Sequence, residues 1–70
     1  MIPLTVAEKE KEQIVKRLGG QPEVRRHLEN LGFTPGSKVT VVNSLNGNLI
    51  VKVKESRVAI DENMARKIMV

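Results

Sequence analysis

The stretch Leu31-Gly32-Phe33-Thr34-Pro35-Gly36-Ser37-Lys38-Val39-Thr40-Val41-Val42 constrains this chain most. An apolar stripe with helical spacing ends at Leu31. Gly32 follows, and glycine readily takes the left-handed conformation that closes a helix. Pro35-Gly36 then turns the chain, because proline presets φ at the second turn position and glycine tolerates positive φ at the third. From Lys38 onward the apolar period becomes two, the signature of a half-buried strand. The segment therefore defines a helix-turn-strand unit and contains no catalytic motif.

The elements on either side extend that unit. Thr5-Val6-Ala7-Glu8 has the spacing of a capping box, which predicts a short helical turn from Thr5. Glu8 to Glu12 alternates in charge and reads as a solvated turn or strand lead-in. Gln13 to Leu18, carrying Ile14, Val15 and Leu18, reads as a first strand that Gly19-Gly20 breaks. Pro22 suits the first position of a helix, where its missing N–H costs nothing. Glu23 suits the first-turn dipole. Val24, Leu28 and Leu31 then recur at i, i+4 and i+7 as one apolar face.

A three-stranded meander follows. A two-residue turn at Asn46-Gly47 would set Val41 opposite Lys52, so a three-residue loop, Leu45-Asn46-Gly47 with Gly47 left-handed, is expected instead. Val41 then faces Val51 and Val39 faces Val53. A second turn at Glu55-Ser56 sets Val53 opposite Val58 and Val51 opposite Ile60. On the outer face this register opposes Lys38 to Lys54, Lys54 to Arg57, and Val42 to Ile50. The tail suggests one helical turn at Met64, Ala65 and Ile68 and a closing strand at Met69-Val70. The expected fold is mainly β: one domain over residues 1–70, a small barrel of about five short strands with a short helix between the first and second.

The residue inventory narrows the function. Phe33 is the only aromatic side chain, so base-stacking platforms and grooves for proline-rich peptides are disfavoured. No cysteine is present, which removes disulfides and thiolate ligands and fits a reducing cytoplasm. Met1 to Thr5 has no basic segment followed by a long apolar run, so no signal peptide is expected. The apolar runs are far shorter than the roughly 18 residues that cross a bilayer. His27 and Glu23 are spaced for a helical ligand pair, but two ligands do not make a site, and no metal ligands or cofactor are assigned. Gly19-Gly20-Gln21-Pro22 reads as a strand-to-helix turn rather than an anion cradle. The +4 net charge permits an acidic partner. Lys38, Lys52, Lys54 and Arg57, with Val42 and Ile50 as apolar anchors, read either as a plain solvated face or as a docking surface. Arg25 and Arg26 on the helix offer a rival surface.

Taken together, Leu4-Thr5, the strand from Ile14 to Gly20, Arg25-Arg26-His27-Leu28, Leu31-Gly32-Phe33-Thr34-Pro35-Gly36, the valine-rich hairpin, and Val58-Ala59-Ile60 with Ala65, Ile68 and Val70 resemble the ferrous iron transport protein A family, FeoA. The resemblance covers nearly all of the chain. It departs from the family pattern between Thr5 and Lys16, where members often carry a glycine and this chain has none. It implies an SH3-like barrel in the cytoplasm with a non-enzymatic role in transition metal ion handling. The implied partner is FeoB, the membrane GTPase that imports ferrous iron, with membrane association only through that partner. The same domain type resembles the C-terminal domain of iron-dependent repressors, so a stand-alone relative of that domain is one alternative. A small basic barrel that binds nucleic acid through phosphates is the other, although no nucleic acid is expected.

Overall fold

Two antiparallel sheets organise the chain, and the computed structural model describes all 70 residues. A 3-10 turn at Leu4–Val6 is followed by β1 (Glu12–Ile14), β2 (Arg17–Leu18), α1 (Pro22–Asn30), β3 (Lys38–Leu45), β4 (Asn48–Val53), β5 (Ser56–Asp61), α2 (Glu62–Ala65) and β6 (Ile68–Met69). The larger sheet runs β1-β3-β4-β5 and the smaller pairs β2 with β6. The mainly β barrel with a helix before its central hairpin matches expectation, but it has six strands rather than five.

The extra strand comes from the segment expected to be a single first strand. Its front half pairs with β3, Gln13 opposite Val39. Its rear half pairs with β6, Leu18 opposite Ile68. The bend lies at Val15-Lys16. There the Val15 N–H donates to the Ser37 carbonyl (2.9 Å), and the Gly36 N–H donates to the Val15 carbonyl (2.7 Å). The Thr34–Ser37 turn thus clamps the corner, and its own closing bond runs from the Ser37 N–H to the Thr34 carbonyl at 2.9 Å. Bending changes the burial parity: Val15 and Leu18, three residues apart, are both buried, whereas an unbent strand would turn one of them outward. The termini complete the smaller sheet, with Ile2 and Val70 exchanging two backbone bonds of 2.8 Å. The opening turn carries no side-chain cap, because it begins at Leu4 and not at Thr5.

Helix α1 ends as its sequence predicts. The Phe33 N–H reaches the Leu28 carbonyl (3.0 Å) and the Gly32 N–H reaches that of Glu29 (2.9 Å), the two bonds of a Schellman motif. Gly32 sits at φ 109°, and Phe33 and Leu28 are both fully buried beside it. The sole aromatic is therefore spent on the core. Thirteen apolar side chains form that core, and no polar or charged side chain is buried with them.

The central hairpin reaches the expected register by a different device. Its turn is the two-residue Asn46-Gly47, both at positive φ (51° and 80°), closed by Leu45 opposite Asn48. The offset comes from a β-bulge between Val41 and Asn43, which leaves Val42 as the extra residue. Beyond it Val41 faces Val51 and Val39 faces Val53. A bulge forfeits about one ladder hydrogen bond, worth roughly 0.5–1.5 kcal/mol. Without it Val39 and Val41 would oppose outward-pointing lysines, and each exposed valine would lose roughly 1.5–3 kcal/mol of burial. The bulge wins. The expected three-residue loop is thereby corrected.

The second turn is also corrected. It is Lys54-Glu55, with Lys54 at φ 57°, so that Val53 faces Ser56, Val51 faces Val58 and Leu49 faces Ile60. This displaces the pairing by two residues, so every side chain keeps its expected face. Asp61 caps α2, its carboxylate accepting from the Met64 N–H at 2.8 Å.

Candidate docking surface

Strand alternation turns a defined set of side chains outward while Val39, Val41, Val51 and Val53 fill the core. Successive pairings align Glu12, Thr40, Lys52 and Arg57 in one row across all four strands. The adjacent row opposes Ile14 to Lys38. On the other side Ile50 stands between Asn43 and Ala59.

Glu12, Ser37, Lys38, Thr40, Lys52 and Lys54 line an open depression of about 370 Å³ with no apolar wall. Lys38 lies 3.9 Å from Glu12, both exposed by more than 60%. Such a solvated pair contributes little, typically under about 1 kcal/mol, and leaves Lys38 available to a stronger acid. Lys52 faces Arg57 directly, a like-charge pair with a small intrinsic cost. The depression is therefore a lysine-rich shelf with the Thr40 hydroxyl, a Ser37 hydroxyl already paired with that of Thr34 at 2.6 Å, and one weakly engaged carboxylate.

The individual expectations divide on this geometry. Lys38, Lys52 and Lys54 gather around one depression. Arg57 adjoins Lys52 rather than Lys54, because Lys54 belongs to the turn and is not part of the ladder. The Lys38–Lys54 opposition is likewise absent from the ladder, which ends at Val53. Val42 and Ile50 are both half-buried but do not oppose one another: the bulge sets Asn43 against Ile50. Glu12 and Thr40 join the surface unannounced. Thr40 was signalled by its alternation with Val39 and Val41 and Glu12 by its place at the end of the charged run, but the strand that Glu12 pairs with was not legible from spacing.

Arg25, Arg26 and His27 are exposed on α1. No three His, Asp or Glu side chains converge on a point. The Gly19 N–H, in the turn ahead of α1, donates to the Lys67 carbonyl at 2.7 Å and is spent. A second shallow depression of about 270 Å³ lies at the central hairpin tip, between Thr5, Ser44, Leu45, Leu49 and Glu62. Leu45 there is 62% exposed. No helix is long and apolar enough to cross a membrane.

Comparison with known proteins identifies the family and the fold. A family model described as the FeoA domain matches residues 2–70. The chain is 37% identical over 70 residues to a protein of Methanocaldococcus jannaschii provisionally named Fe(2+) transport protein A, covering all of this chain and 85% of that one. Among solved structures it is similar to an iron uptake regulatory protein (FeoA), with TM-score 0.87 and 30% identity over 96% of this chain and 89% of the other. It also shares its fold with Stenotrophomonas maltophilia FeoA, described as an SH3 domain protein and complexed with zinc. That match has TM-score 0.84 and 21% identity, over 99% of this chain and 88% of that one.

Proposed function

The chain belongs to the FeoA domain family, and we propose that it is a small cytoplasmic, non-catalytic adaptor that docks on FeoB, the membrane GTPase that imports ferrous iron. One observation carries this reading. The outward face of the four-stranded sheet collects Lys38, Lys52 and Lys54 around an open shelf, with Arg57 next to Lys52. The backbone beneath is held by four buried valines, so the charges are presented on a rigid support. A shelf without apolar walls suits an acidic surface of a protein partner better than a small molecule, which needs an enclosed and largely apolar pocket. Iron is then the transporter's cargo, and this chain acts by contact.

The test is a titration against the cytoplasmic region of the GTPase. Lys52→Glu/Lys54→Glu should weaken binding mainly through the association rate, and the loss should shrink as salt screens exposed charges. The fold should survive, because both side chains are exposed. Unchanged binding in that variant, with loss in Arg25→Glu/Arg26→Glu, would move the interface to α1. Binding to duplex DNA that falls with salt at a log–log slope of about −0.9 per phosphate contact would instead favour the nucleic-acid reading.

A further inference from the structure

Strand β5 is the outermost strand of the larger sheet, and all its ladder partners lie on β4. A two-residue turn makes its closing pair, Val53 and Ser56, the hydrogen-bonded one. Pairs then alternate along the ladder, so the backbone groups of Val58 and Ile60 also point to β4. Those of Arg57 and Ala59 point away, and no other segment of the chain bonds to them. Sheet edges are ordinarily defended by proline, bulges, inward charges or shortness. This edge is six residues long, regular in register and free of proline.

We propose that β5 pairs antiparallel with β5 of a second copy of this chain, about a two-fold axis through Ala59. This goes beyond the docking role of the sheet face. The sequence of the strand is complementary to itself in that one register. Ala59 meets Ala59 of the copy, Val58 meets Ile60, and Arg57 meets Asp61 at both ends. Arg57 has only Lys52 across from it within its own chain, so the copy supplies the acid that its own ladder lacks. Asp61 uses one carboxylate oxygen on the Met64 N–H, and the other remains free for Arg57. Ala59 is exposed and small, which allows the backbones to close to hydrogen-bonding distance at the axis. Val58 is only half-buried, and the copy would cover the remainder. Sliding the pairing by two in either direction loses the Arg57–Asp61 matches, so charge selects the register. A single pair of short strands buries less than a standard interface of about 1,200–2,000 Å², so the dimer is weak and rapidly exchanging. The contact is isologous and closes on itself, which limits assembly to two copies.

The experiment is sedimentation velocity and amide chemical shifts followed from micromolar concentration to about 1 mM, the range in which an interface of this size associates. The Arg57 and Ala59 amides should shift with concentration, and a dimer should sediment at the upper end. Arg57→Asp should raise the dissociation constant at least tenfold, by opposing acid to acid. It should leave the monomer folded, because the introduced carboxylate then faces Lys52 within its own chain. Lys11→Asp, the same charge change on an exposed residue, should leave the dissociation constant unaltered. Ala59→Cys, in a chain with no other thiol, should form disulfide dimer under glutathione disulfide at least tenfold faster than Lys11→Cys. Hydrogen-bonded strand pairs have Cα atoms about 5.5 Å apart, within disulfide reach. A wild type that stays monomeric to about 1 mM would overturn the proposal. So would self-association indifferent to Arg57→Asp, or equal cross-linking rates for the two cysteine variants.

Discussion

Replacing Gly32 by alanine tests whether the junction between helix and sheet is as tight as its geometry implies. Two costs combine. At φ 109° an L side chain is strained, and such backbone strain is of the order of 1–3 kcal/mol. A Cβ built at Gly32 also lies 3.2 Å from Cγ2 and 3.6 Å from Cγ1 of Val53. Val53 is buried at the end of β4, where it closes the second hairpin, and cannot turn away freely. Overpacking of this kind costs roughly 1–3 kcal/mol. The expected total is about 2–6 kcal/mol, against a stability of about 3.5–10 kcal/mol for a domain of this length at typical values per residue. Gly36→Ala provides the control. Gly36 has a similar φ of 93°, but its built Cβ meets nothing within 4 Å, so only strain remains. Urea unfolding of both variants should show Gly32→Ala the more destabilised by at least about 1 kcal/mol. In a Val53→Ala background the excess should disappear as a coupling energy, since contacting residues fail to add. Equal losses for the two glycine variants, or full additivity with Val53→Ala, would refute the packing argument.

Two further outcomes follow from the turns and caps. Gly47→Val places a β-branched residue at φ 80° and should cost roughly 1–3 kcal/mol in denaturant unfolding, although its built Cβ is unobstructed. Cross-strand NOEs should still pair Val41 with Val51, because the bulge at Val42 and not the turn sets that register. Asp61→Ala removes the cap on α2 and should lower stability by about 1 kcal/mol. Asp61→Asn should recover most of it, since the amide oxygen still accepts from the Met64 N–H.

Local chemistry alone determined a large share of this protein. Gly32 after the Val24, Leu28, Leu31 stripe announced the helix end, and Pro35-Gly36 announced the turn, because these residues act through their own φ preferences. The alternation of Val39, Val41, Val51 and Val53 disclosed the inner face, since burial parity is a property of the strand itself. The order of these motifs was enough to suggest the family. What spacing could not reveal was set by neighbours distant in sequence. The corner at Val15-Lys16 exists because one strand meets β3 and then β6, with Gly36 and Ser37 holding the bend. The bulge at Val42 exists because the Asn46-Gly47 turn and the core valines demand registers that differ by one residue. Glu12 entered the lysine shelf for the same reason, carried there by pairing with β3. Periodicity records which face a residue takes, but strand partners and offsets follow from closing a barrel around one core, and that energy belongs to the whole chain.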